Sequence, residues 1–188
     1  MAYLPSFRFS AVLVSGIALL FSGCCANNVC DYDDSQADAI RLVFTKSFTA
    51  ADLDTLVVQR YPLTLTAANL KTTKPETVTL IRTTTQVRDS VLVINNTTPF
   101  PQSNTSTKLD QYKYVVRYYA APRRVQPRSA LALIIDNVTL KGDFSGNGCC
   151  TYYLNTQKIV TSRKDSATAT APRISDLTGA ASVLTIDK

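Results

Sequence analysis

Five cysteines stand in two clusters: Cys24, Cys25 and Cys30 near the start, and the adjacent pair Cys149 and Cys150 far along the chain. They are the residues best equipped for chemistry, since a thiolate can be acylated, oxidised to a disulfide or bound to a soft metal. Other reactive sets are thin. The chain has no histidine, which closes the Ser/His/Asp and Cys/His nucleophile systems and histidine-ligated metal sites. Glu76 is the only glutamate, so a glycosidase-type carboxylate pair would need two aspartates or an aspartate with Glu76, and nothing in the sequence brings two such groups together. The expectation is a non-enzymatic protein without a cofactor, an Asp-based hydrolase being the remote alternative.

The first cluster follows a leader. Residues 1–10 carry one positive charge, Arg8, and no negative one; residues 11–21, "AVLVSGIALLF", are almost continuously apolar; Ser22 and Gly23 are small. That is the layout of a secretory signal peptide, and the apolar run is shorter than the roughly 20 residues a bilayer span needs. The stretch "LFSGC", residues 20–24, resembles the lipobox of bacterial lipoproteins. The resemblance implies diacylglycerol on the Cys24 thiol, cleavage before Cys24 and, commonly, acylation of the new amino group. Phe21 departs from the leucine usual at that position. Two or three acyl chains hold a protein stably on a membrane where one holds it marginally. In enterobacterial lipoproteins an aspartate after the lipidated cysteine goes with inner-membrane retention; Cys25 stands there instead, which favours the outer membrane. The segments "NNVCDYDD" and "GNGCCTYY" are also similar to small lipoproteins of the Bacteroidetes. That likeness bears on location and fold and carries no activity to any residue.

Lipidation of Cys24 leaves Cys25, Cys30, Cys149 and Cys150, which allow three disulfide pairings. If Cys149 and Cys150 lie in a strand, their side chains alternate between its faces, so a bond between them would demand a strained turn. Each could reach back to Cys25 or Cys30. Closing a loop of roughly 120 residues contributes up to about 4–5 kcal/mol in the chain-entropy account. A four-thiolate zinc site favours cysteines two to four residues apart. An adjacent pair in an oxidising compartment fits disulfides better, with at least one joining the two clusters.

The elements that must position these cysteines read as strands. Residues 31–38, "DYDDSQAD", form an acidic, solvated tether. In "AIRLVF" Ile40, Leu42 and Phe44 share one face, opposite Arg41 and Val43. "TAADLD" at 49–54 has a Thr-x-x-Asp cue for one helical turn. Strands follow at 55–61, 77–85, 90–95, 111–119, 129–136, 137–144 and 151–162, all short and rich in β-branched or aromatic residues between Pro, Gly, Asn or Thr clusters. Seven or eight such strands predict an all-β fold, an antiparallel sandwich of the immunoglobulin-like or transthyretin-like kind. The division is therefore leader 1–23, lipidated cysteine and tether 24–38, sandwich 39–162, and a loose Ala/Thr/Ser-rich tail 163–188 in which 183–187 could return as a last edge strand.

Several stretches invite a binding reading. "DFSGNG", 143–148, opens as a calcium loop would, but its twelfth position is Leu154, and Asn147-Gly148 is a hairpin signal by itself. In "QYKYVVRYY" Tyr112, Tyr114 and Tyr118 share a face, either a stacking surface for sugars or half of the sandwich core; Lys113, Arg117 and Tyr119 lie opposite. "APRRVQPRS" gathers Arg123, Arg124 and Arg128 in a proline-rich loop suited to phosphates or acidic glycans. "DTL" (54–56), "DSV" (89–91) and "DSA" (165–167) resemble the O-glycosylation acceptor of the Bacteroidetes, and Asn95, Asn96, Asn104 and Asn137 match the N-glycosylation pattern. The net charge of +6 is too diffuse for a nucleic-acid binder. The expected function is a lipid-anchored envelope protein, structural or interacting, whose expected partners are the membrane through Cys24 and envelope proteins or glycans. The alternative is a glycan- or polyanion-binding domain using the tyrosine face and the arginine loop.

Overall fold

A computed structural model describes residues 37–64, 74–89, 91–101, 108–119, 130–147, 150–165, 171–179 and 182–188. Nine strands are described: β1 (Ile40–Phe44), β2 (Thr55–Pro62), β3 (Glu76–Ile81), β4 (Leu92–Ile94), β5 (Tyr112–Tyr119), β6 (Ala130–Asn147), β7 (Cys150–Asp165), β8 (Arg173–Asp176) and β9 (Leu184–Ile186). A short helix, α1 (Thr84–Asp89), precedes β4, and a 3-10 turn at Leu109–Gln111 leads into β5. Six strands make one antiparallel sheet in the order β3-β2-β5-β6-β7-β8, and three make a second in the order β4-β1-β9. The fold is an all-β sandwich. It departs from a purely antiparallel one at a single place, because β9 runs parallel to β1.

Alternation explains the layers. Ile40 and Leu42 of β1, Leu92 and Ile94 of β4, and Leu184 and Ile186 of β9 meet Leu56 and Val58 of β2, Tyr114, Val116 and Tyr118 of β5, and Leu133, Ile135 and Val138 of β6 in one buried cluster. Period-two placement puts these on the inner faces. On the outer face of the larger sheet Val115, Ala132 and Ile134 form a smaller cluster against Tyr61. Beside it Asp136 accepts hydrogen bonds from Lys113 Nζ and Arg163 Nε, both at 2.8 Å. Burial pushes the Asp136 carboxyl up, and these two cations together outweigh it and hold the group below its usual range.

Two expectations are corrected. The predicted strands 129–136 and 137–144 are one strand, β6, because the register slips by one residue at Asp136. That β-bulge restores the inward placement of Val138 and Leu140 that plain alternation would lose. The tail from 163 is not a loose appendage. β7 runs to Asp165, β8 pairs with it, and Leu177, Leu184 and Ile186 are buried in the core. The last strand predicted near 183–187 is present as β9.

Two helical cues also resolve. Thr49 donates its backbone N–H to Asp52 Oδ2 at 2.7 Å, closing the one turn expected at 49–54. The strand expected to reach 85 stops at Ile81. Thr83 and Gln86 form a reciprocal capping box, with Thr83 N–H donating to Gln86 Oε1 at 2.9 Å and Gln86 N–H to Thr83 Oγ1 at 3.3 Å, and α1 starts there.

Candidate functional site

The longest elements, β6 and β7, outrun their neighbours. β5 pairs with β6 only as far as Ile135, and β8 pairs with β7 only over Ile159–Ser162. Among the described residues, the pairs from Lys141–Gln157 to Asn147–Cys150 form a two-stranded ribbon with no further strand on either edge. At about 3.4 Å per residue it extends for roughly 20 Å. A second bulge, at Thr156, sets its faces. Gly142 then stands opposite Asn155 and Phe144 opposite Tyr153, so all four share one face. The Phe144 and Tyr153 rings meet edge to face with centroids 5.3 Å apart.

Gly142 has a steric reason to be glycine. A Cβ there would lie 2.6 Å from the Leu154 carbonyl oxygen and 2.7 Å from the Tyr153 ring. Gly142→Ala is therefore expected to cost about 1–3 kcal/mol by overpacking. In denaturant unfolding the midpoint should fall. An unchanged midpoint would show that the ribbon yields freely at its bulge.

At the root of the ribbon sits a buried polar knot. Asp38 is 1% exposed, and its carboxylate accepts from Asn155 Nδ2 at 3.1 Å and Asn96 Nδ2 at 3.4 Å. Asn155 Nδ2 also donates to the Ala37 carbonyl at 2.6 Å. Asn96 Oδ1 accepts the Leu109 N–H at 2.7 Å, tying in the 3-10 turn. Lys158, 3% exposed, donates to the Ala39 carbonyl at 3.1 Å. Burial pushes its ammonium below the usual lysine range; the Asp38 charge opposes this and Arg41 adds to it. Asn155 Oδ1 is buried with no hydrogen-bond partner. Beside the knot opens a cleft of about 440 Å³ lined by Asp38, Lys108, Asp110, Lys141, Asp143 and Tyr153, among others. Its charges are mixed, and no group of three His, Cys, Asp or Glu among the described residues could hold a metal ion. What the root offers is hydrogen-bond donors and acceptors on paired strands beside an aromatic face, an arrangement that suits an extended polypeptide.

The predicted site residues are distributed differently. Tyr114 and Tyr118 are 1% and 2% exposed, so the binding reading for this face is corrected: it is half of the core. Tyr114 donates its hydroxyl to the Leu109 carbonyl at 3.1 Å, and burial pushes its phenol well above the usual range. Tyr118 packs edge-on against Phe44 and Phe48. Tyr112, half-buried, lies over the Arg60 guanidinium rather than facing solvent. Within "DFSGNG" Asp143 and Ser145 are paired strand residues opposite Leu154 and Tyr152. The tether reading fails at Asp38, which is buried in the knot. Thr55 of "DTL", in β2, is buried, and so are Asn95 and Asn96 just after β4, which removes them as exposed acceptors; Asn137 is exposed.

Arg123, Arg124, Arg128, Ser90, Asn104 and Ser166 lie outside the described residues, as do Cys24, Cys25, Cys30 and Cys149. Cys150 opens β7 and pairs with Asn147, the last residue of β6. There is no disulfide among the described residues, and none of their helices is long and apolar enough to cross a membrane.

Sequence reasoning passed over Asp38, Asn96, Asn155 and Lys158. One signal was available: in "KIVTS" Lys158 shares the alternation of Val160 and Ser162, both buried. No protein-family model matches the chain, and no curated protein or solved structure does either.

Proposed function

We propose that this chain is a lipid-anchored cell-envelope protein whose β-sandwich is a non-catalytic structural or interaction module. The observation that carries the reading is the apolar leader ending in "LFSGC", with Cys24 the acylated residue. The first described residues, Ala37 and Asp38, are hydrogen-bonded to Asn155 of β7. A pull from a membrane anchor would thus enter the longest strand pair of the sheet. The remaining cysteines are read as disulfides of an oxidising compartment, and the outer membrane as the attachment site.

The test is the intact mass and fractionation of the chain expressed with its leader in a Gram-negative host. The wild type is expected in the membrane fraction, starting at Cys24 and carrying acyl mass. Cys24→Ser should lose the acyl mass and persist as the uncleaved precursor. A lipid-free wild type cut elsewhere would overturn the anchor.

A further inference from the structure

We propose that the free edge of β3 is a self-association site, on which a second copy of this chain pairs its own β3 antiparallel about a two-fold axis at Thr79. The proposal goes beyond the reading above and does not depend on an anchor at Cys24.

The phase of the hydrogen bonds sets what this edge offers. Facing residues in an antiparallel pair alternate between hydrogen-bonded and non-hydrogen-bonded. The Arg82 N–H donates to the Asp54 carbonyl at 2.9 Å, which continues the β2–β3 register by one pair and makes that pair a bonded one. Glu76, Val78 and Leu80 are therefore bonded to β2, while Thr77, Thr79 and Ile81 turn their N–H and C=O groups away from it. The far edge of β2 agrees. Leu63 N–H donates to the Gln111 carbonyl at 2.9 Å, so the odd-numbered residues of β2 are bonded to β5. Among the described residues no strand lies beyond β3.

Both ends of the open stretch are closed. Pro75 has no N–H to offer. The Thr83 N–H donates to Gln86 Oε1, and the Thr83 carbonyl accepts from the Val87 N–H. What remains open is centred on Thr79, so the strand is complementary to itself. Thr77 then faces Ile81 of the second copy, Thr79 faces Thr79 and Ile81 faces Thr77, each pair exchanging two hydrogen bonds.

The side chains suit the same register. Ile81 is 69% exposed, and Thr77 and Thr79 beside it are exposed too. Pairing sets β-branched side chains against one another across the strands. On the other face Val78 of the second copy comes beside Leu80, at a groove of about 320 Å³ lined by Leu80, Ile81, Gln86, Val91 and Leu92, among others. At each end Glu76 comes opposite Arg82, a pair of opposite sign. Residues 77–81 carry no charge, and β3 is longer than the other edge strands β4, β8 and β9. Short or charged edges discourage pairing, and a long uncharged one invites it. One strand pair buries less than a standard interface, so the dimer is weak and reversible.

Sedimentation equilibrium of the full chain, in density-matched detergent with thiols kept reduced, would compare the wild type with Thr79→Lys and Thr79→Pro. The wild type should pass from monomer toward dimer between about 10 µM and 1 mM. Thr79→Lys sets like charges face to face across the axis, and Thr79→Pro removes a donor that points away from β2. Each should weaken dimerisation at least about tenfold and leave the unfolding midpoint of the dilute protein unchanged. If the proline variant fails to fold, the lysine variant carries the test. Amides of Thr77, Thr79 and Ile81 should exchange at least about fivefold more slowly in concentrated than in dilute wild type, with β8 amides equal in both. A wild type that stays monomeric, a dimer that Thr79→Lys leaves intact, or a dimer whose β3 amides exchange as in the monomer would each overturn the proposal.

Discussion

Arg60→Ala is expected to lower the unfolding free energy by about 3 kcal/mol, a combination of lost side-chain packing and lost cation–π attraction. Arg60 sits on β2 in the inward row of Leu56 and Val58 and is 5% exposed. Its guanidinium carbon lies 4.5 Å from the Phe100 ring centroid and 4.6 Å from that of Tyr112. The two aromatic faces stand in for the water that a cation loses on burial. Nη2 also donates to Glu76 Oε2 at 2.7 Å across the β2–β3 pair, while Nε is buried without a partner. The ion pair is the smaller part, since the Glu76 side chain is 56% exposed and water screens it. Glu76→Gln should therefore cost no more than about 1 kcal/mol. Arg60→Lys keeps the charge and loses the flat stacking surface, so it should fall between the two. Equilibrium denaturation of the three variants orders them. A Glu76→Gln cost equal to that of Arg60→Ala would mean that the ion pair, not the ring stack, holds the arginine in place.

That arrangement also shows where sequence reasoning reaches its limit. The strands were legible because Leu56, Val58 and Arg60, or Tyr114, Val116 and Tyr118, alternate strictly, and alternation is a local property. For Arg60, the neighbours Phe100 and Tyr112 and the partner Glu76 were not visible, because strand pairing is decided by tertiary contacts. The tyrosine row left two readings open for the same reason: its period gives a face, and only the opposing sheet makes that face a core. β6 was split at Asp136 because a bulge looks like a broken period. α1 was missed although Thr83 and Gln86 stand at capping-box spacing, since a threonine run has strong β propensity. The tail looked loose by composition, yet Leu177, Leu184 and Ile186 are enough to seal it. At the candidate site the antiparallel pairing of β6 with β7, which ends at Asn147 and Cys150, was legible from the hairpin signal Asn147-Gly148. The knot at its root was not, being assembled from residues 38, 96, 155 and 158.

That knot carries the other large effect. Asp38→Ala should destabilise the fold by about 3 kcal/mol, because buried amide donors lose their carboxylate acceptor and the Lys158 ammonium loses the nearby negative charge that opposes its burial. The substitution strips the amides of Asn96 and Asn155 of a carboxylate acceptor and leaves the Lys158 ammonium with the Ala39 carbonyl. Burial already depresses the Lys158 pKa, and Asp38 is the group that raises it, so in the variant it should fall further. The unfolded chain then binds more protons than the native one between that lowered pKa and the ordinary 10.5 of lysine, and stability rises with pH across this window. The Asp38→Ala deficit should accordingly shrink as pH is raised from 7 toward 10, as denaturant melts at several pH values would show. Lys158→Met placed on top of Asp38→Ala should recover part of the loss at pH 7 and flatten the pH response, because the stranded charge is gone. A deficit that stays constant with pH, and is not relieved by Lys158→Met, would place the cost in the lost amide hydrogen bonds instead. Either way the effect falls at the root of the ribbon, so a weakened knot should also loosen Ala37 from Asn155.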